Sequence, residues 1–145
     1  MANVMKVDVV DSESQIFSGE VEYLIAPAIE GEIGIYPHHI PLITKLNPGV
    51  LRLQIPDTAA HEVLAISGGF LEVQGNHVTI LADIVERTEP LDEARLLEQK
   101  SMALARIKRA DSTMTADVAT AQASLEIAIA QLKALDYLKK FNNRA

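Results

Sequence analysis

Residues 85–97, VERTEPLDEARLL, divide the chain in two. All seven glycines and all six prolines lie at or before Pro90, and none follows. Gly and Pro punctuate strands and turns and are costly inside helices, so their disappearance marks a change of architecture. The charge changes at the same place. Residues 1–90 carry 13 acidic and 4 basic side chains, a net of −9, whereas residues 91–145 carry 7 acidic and 9 basic, a net of +2. We read a β domain over 1–89 and a helical domain over 90–145.

Upstream of the break, short β-type runs alternate with turn signals. Strands are expected at Lys6–Val10, Val21–Ala26, Gly31–Tyr36, Leu42–Leu46, Val50–Ile55, Glu62–Ile66, Phe70–Gln74, Val78–Leu81 and Asp83–Arg87. Pro48-Gly49, Ser67-Gly68-Gly69 and Gly75-Asn76 supply turns between them. Short strands at this spacing point to a β-sandwich or flattened barrel of about ten strands.

Downstream, Pro90 suits the first turn of a helix, and Asp92 and Glu93 sit at its positive dipole end. Arg106, Lys108 and Arg109 suit the other end, near Ala110. Asp111-Ser112-Thr113 breaks the pattern, and so short a connection makes the flanking helices antiparallel neighbours. The second helix runs from about Thr115 to Phe141, roughly 40 Å at 1.5 Å per residue. One stripe, Ala116, Ala119, Ala123, Ile127, Ala130, Ala134, Tyr137 and Phe141, is small enough to form the seam with helix one. The opposite side, Val118, Ala121, Leu125, Ala128, Leu132 and Leu135, is apolar too. A lone hairpin buries one stripe, so the second face must pack on the body or on another protein.

Composition excludes several classes. The 145 residues include no cysteine, which removes disulfides and thiolate metal sites. No run of about 18 apolar residues is present to span a membrane, and Met1–Lys6 has none of the long apolar stretch of a secretory leader; a cytoplasmic location is expected. The acidic body, with only Lys6, Lys45, Arg52 and Arg87, is a poor match for nucleic acid. His38 and His39 point to opposite faces of an extended segment, and His61 and His77 lack ligand spacing, so no metal site is expected. No P-loop or nucleophile elbow occurs. Glu30 and Glu32 flank Gly31 without a nearby base or cofactor motif and are read as solvated or interfacial. No catalytic residue is assigned. A free-standing adaptor that uses its helical hairpin as an interaction surface is compatible with these features.

Several segments in register carry a resemblance: Phe17-Ser18-Gly19, residues 31–42 (GEIGIYPHHIPL), residues 67–74 (SGGFLEVQ), Leu81-Ala82-Asp83, and residues 91–95 (LDEAR). Together with the helical hairpin they are similar to the epsilon subunit of bacterial F-type ATP synthase, over nearly the whole chain. The resemblance implies a non-catalytic rotor subunit on the central stalk, peripheral to the membrane on its cytoplasmic face. Its implied partners are the gamma subunit, the c-ring, and the alpha and beta subunits. It also implies that the Glu32 turn and the segment from Tyr36 to Pro41 face these partners, with Glu32 on the ring side and His39 near the rotor. The hairpin would be a movable inhibitor of ATP hydrolysis whose basic end, Lys139 and Lys140, meets the beta subunit. Some members bind ATP through a motif of the form Ile/Leu-Asp-x-x-Arg-Ala. Leu91, Asp92 and Arg95 match it, but Leu96 replaces the alanine and Met102 stands where a supporting arginine is expected. A triphosphate needs several cations, so weak ATP binding or none is expected.

Overall fold

The computed structural model describes residues 3–58, 61–87, 93–109 and 115–142. Ten strands precede two helices. The strands are β1 (Met5–Val10), β2 (Gln15–Val21), β3 (Tyr23–Ala28), β4 (Gly31–Ile35), β5 (Leu42–Leu46), β6 (Gly49–Gln54), β7 (His61–Ile66), β8 (Gly69–Gln74), β9 (His77–Ala82) and β10 (Val85–Arg87). The helices are α1 (Glu93–Arg109) and α2 (Thr115–Asn142).

The strands form one folded ladder in the order β10-β7-β6-β3-β5-β8-β9-β1-β2, with β4 on β3. A single residue pair, Ala28 with Leu46, joins β3 to β5. The ladder therefore bends there into two facing halves, β10-β7-β6-β3-β4 and β5-β8-β9-β1-β2. Only β1 and β9 run parallel; the other described pairs are antiparallel. The halves enclose a core that includes Met5, Leu24, Ile35, Leu51, Leu53, Leu71 and Ile80. Among the described residues, no helix side chain enters that core.

Alternation explains which side chains go inward. In β8, Leu71 and Val73 are buried while Phe70, Glu72 and Gln74 are exposed, the expected period of two. β6 and β7 depart from it. Val50, Leu51, Leu53 and Gln54 are all buried, as are Val63 through Ile66, because both faces of this part of the sheet are covered. Leu51, Leu53 and Leu64 enter the core, whereas Val50 and Val63 pack under α2.

Two expectations need correction. β2 falls where no separate strand is expected, and the strand expected at Val21–Ala26 is divided at Glu22. Ser18 and Gly19, which lie in none of the expected strands, pair with Asp8 and Val7 of β1 as an edge strand. The faces of α2 are also divided differently, although Ile127 of the expected seam does line the cleft with α1. Ala134 and Tyr137, expected in the seam with helix one, pack against Val50 and Val63 of the body. The buried heptad Ala121, Ala128 and Leu135 lies on the other side, and Ala121 shares a cleft with Ala103 of α1. The helices are antiparallel, since Lys139 near the end of α2 bonds Glu93 at the start of α1.

Candidate interaction surfaces

The β3–β4 turn projects Ile29, Glu30 and Gly31, and Gly31 has a φ of 123°, which a side chain rarely adopts. Glu32 follows. Its carboxylate lies 3.2 Å from the Arg52 guanidinium of β6. Arg52 is little exposed, at 15%, and Glu32 is 45% exposed. On its other side the guanidinium sits over the Tyr137 ring of α2, 4.2 Å from the centroid. One cation thus touches both an exposed turn and the C-terminal helix.

The Tyr36–Pro41 segment is held in place from both ends. Continuing the β3–β4 register, the Tyr36 ring stacks on Tyr23 with centroids 5.3 Å apart. His39 N–H donates to the Tyr36 carbonyl and closes a turn. Pro37 at the second position and a positive φ of 65° at His38 fit a type II turn. The His38 N–H donates to Asn76 Oδ1 at 3.0 Å, and Asn76 Nδ2 donates to the Val4 carbonyl at 2.7 Å. His39 Nδ1 lies 2.7 Å from the Ile40 carbonyl; an oxygen acceptor requires the proton on that nitrogen.

The segment leads into an apolar strip. Ile40 and Ile43 are 75% and 73% exposed. Lys45 pairs with Phe70 across β5–β8, and Phe70 with Leu81 across β8–β9. Phe70 and Leu81 are also exposed, so Ile43, Phe70 and Leu81 run diagonally across the outer face. Pro41 lines a shallow groove beside them with Ile43, Glu72 and Gln74. The strip is absent from the expected site residues. Its signal is the phase of FLEVQ: once Leu71 and Val73 point inward, a phenylalanine must point out.

The basic end of α2 is not wholly free. Lys139 Nζ is 2.5 Å from Glu93, while Lys140 is exposed. Gln131 Nε2 donates to Glu86 of β10. Between the helices lies a cleft of about 290 Å³, at the small end for a ligand pocket. Arg95, Met102 and Arg106 line one wall, with Ser124 and Gln131 opposite and Glu86 also exposed to it. Asp92 lies outside the described residues, as do Pro90 and the connection at 111–113. No group of three or more potential metal-binding side chains occurs among the described residues. No described helix is long and apolar enough to cross a membrane.

Residues 4–88 match the family model described as ATP synthase, Delta/Epsilon chain, beta-sandwich domain. The ATP synthase epsilon chain of Chromobacterium violaceum is 53% identical over 136 residues, covering 94% of this chain and 96% of that one. The chain belongs to the ATP synthase epsilon chain family. Its relative from Laribacter hongkongensis is 46% identical over 138 residues, covering 95% and 97% of the two chains. Among solved structures, a chain of the Euglena gracilis mitochondrial ATP synthase, in its OSCP/F1/c-ring assembly, superposes with a TM-score of 0.74. It is 23% identical, with 92% of this chain and 81% of that chain covered. A chain of the Tetrahymena thermophila central stalk and c-ring gives 0.58 at 14% identity, covering 90% and 96%. These two likenesses concern the fold. For the family, the ladder of ten strands followed by two helices is the expected architecture, and the resemblance carried by residues 31–42 and 67–74 is borne out.

Proposed function

We propose that this chain is the non-catalytic epsilon subunit of an ATP synthase, mounted on the central stalk by its sandwich and braking ATP hydrolysis with its hairpin. Family membership supports the subunit role. The strip Ile43, Phe70 and Leu81, continuous with the stiffened Tyr36–Pro41 segment, supplies an apolar mount for the gamma subunit. The Glu32 turn supplies an acidic contact for basic loops of the c-ring. The complex is served on the cytoplasmic face of the membrane, where the alpha and beta subunits would receive the hairpin.

The observation that carries the braking role is how thinly α2 is held. Among the described residues, its buried contact with the body is Val50 and Val63 against Ala134, flanked by Tyr137 and Leu138 and supplemented by polar contacts to Arg52 and Glu86. Such a face can exchange partners at modest cost, because the polar groups are satisfied again by water or by another protein. The experiment is purification of tagged chain from cells. Alpha, beta, gamma and c subunits should co-purify, and their absence would sink the subunit reading.

We also propose that nucleotide binds the interhelical cleft weakly or not at all. Two arginines reach it, but Met102 lies on the same wall and Glu86 adds a carboxylate. An added anion would have to overcome that charge.

A further inference from the structure

We propose that Arg52 couples engagement of the Glu32 turn to release of the hairpin: a cationic partner that takes Glu32 loosens α2 from the body. This rests on reading Glu32 as partner-facing and the hairpin as mobile.

The guanidinium is served from two sides. Glu32 neutralises it at 3.2 Å, and Tyr137 covers it from α2. Its Nε is buried and has no hydrogen-bond partner among the described residues. Arg52 therefore already sits in a partly dry site with one donor unsatisfied, and the carboxylate is what makes its covering tolerable. Burying a charge is costly unless that charge is paired. If a basic loop draws Glu32 away, α2 is left covering an unneutralised cation. The π-face of Tyr137 offsets part of this, but a neutral ring replaces a full negative charge poorly. Lifting α2 returns Arg52, including its Nε, to water. Both the lost pairing and the unsatisfied donor thus favour release. Linkage makes the effect reciprocal: a docked hairpin keeps Glu32 on Arg52 and weakens the turn for its partner.

Two further polar contacts of α2 among the described residues do not share this property. Gln131 reaches Glu86 and Lys139 reaches Glu93, neither of which lies on the β3–β4 turn. Arg52 is touched by both the exposed turn and the helix.

The chain has no cysteine, so Glu20→Cys and Lys133→Cys allow specific donor and acceptor dyes on exposed positions of β2 and α2. Energy transfer in the isolated full chain then reports the docked fraction. Glu32→Gln removes the charge while keeping the shape and should raise the undocked-to-docked ratio about fivefold, the low end of typical coupling between sites. In an Arg52→Met background the same substitution should have no further effect. Adding a solubilised gamma–c-ring subcomplex should lower transfer in the parent chain more than in Arg52→Met. An unchanged ratio in Glu32→Gln, or an equal shift in both backgrounds, would overturn the coupling. Circular dichroism confirms that each variant is folded. Failure of the parent chain to bind the subcomplex is a separate result, and it removes the docking role of Glu32 rather than the intramolecular link.

Discussion

The Arg87 guanidinium donates to the Ile16 carbonyl at 2.8 Å, tying β10 to β2. These are the two ends of the ladder, and unpaired strand edges invite association with other chains. The same guanidinium pairs with Glu62 of β7 at 2.8 Å, which orients it across the gap. Arg87→Gln should therefore lower stability by about 1 kcal/mol, discounted for the partly exposed site. For a chain of this size that corresponds to a fall in Tm of about 4 °C. Thermal unfolding followed by circular dichroism measures it; an unchanged Tm would show that the strand ends do not need the tie.

Gly69 permits no side chain. Its φ is 146°, and a Cβ placed there would lie 2.1 Å from the Leu81 carbonyl oxygen and 2.8 Å from the Ala82 Cα. Both are backbone atoms of the neighbouring strand, so neither can swing aside. Gly69→Ala is expected to cost at least about 3 kcal/mol, combining strain and displacement of β9. Urea unfolding should show the midpoint falling sharply. Gly75→Ala is the comparison: its φ is also positive, at 60°, but its Cβ would meet nothing within 4 Å, so it should cost about 1 kcal/mol.

Asp8 gives the fold an acid-sensitive clasp. The Ser18 hydroxyl donates to its Oδ1 at 2.6 Å and is the main cause holding the carboxyl below its ordinary value. His77 Nε2 donates to Oδ2 at 2.6 Å, and the Lys6 charge acts in the same direction, while burial opposes them. A carboxyl with a lowered folded-state pKa stabilises fully above its unfolded value, near 3.9, and loses that contribution as pH falls through the folded value. Asp8→Asn should thus be less stable than the parent by about 1 kcal/mol at pH 7. The difference should shrink below about pH 4 as the parent's own carboxyl protonates. A difference that stays constant down to pH 2.5 would show that the charge is not responsible.

The sandwich was largely legible because period-two alternation at Val50–Ile55 and Phe70–Gln74 is strong and its turns carry Gly and Pro. β2 was not, because Ser18-Gly19 in an edge strand has the composition of a turn, and pairing with β1 on one side only leaves little hydrophobic pattern. The two faces of α2 could not be told apart for a different reason. Alanine serves equally in a helix–helix seam and against a sheet, so Ala121 and Ala134 carry no label. What decides the matter is the body surface, where Val50, Val63 and Arg52 accept Tyr137 and Leu138. Glu32, Tyr36, His39 and Pro41 were named as interface candidates from their motif alone. Arg52 was not named beside them, because the two partners it touches, at positions 32 and 137, are distant in sequence.

Calorimetric titration of the full chain with ATP tests the interhelical cleft. The expected outcome is little or no heat up to millimolar nucleotide, since Glu86 offsets one of the two charges of Arg95 and Arg106 and the cleft is small. Micromolar affinity would overturn this expectation. Glu86→Gln offers a graded check: removing the carboxylate should strengthen any residual binding, because it removes like-charge repulsion with the phosphates.

The braking role leads to a prediction about truncation. Deleting residues 111–145 removes α2, yet among the described residues the sandwich core draws none from either helix, so the body should remain folded and still join the complex. The outer face of β6 and β7 would be bared at Val50 and Val63, a small apolar loss. Leu96 and Ala103 of α1, buried in the intact chain, would lose the helix they pack beside, and α1 should fray. If the hairpin brakes the motor, ATP hydrolysis by the assembled complex should rise severalfold while subunit composition stays the same. Shortening the chain further, to residues 1–87, should release hydrolysis to the same extent, because a frayed α1 cannot brake alone. Unchanged hydrolysis in a fully assembled complex would mean that this hairpin does not inhibit. Activity that rises only with the shorter chain would assign the brake to α1.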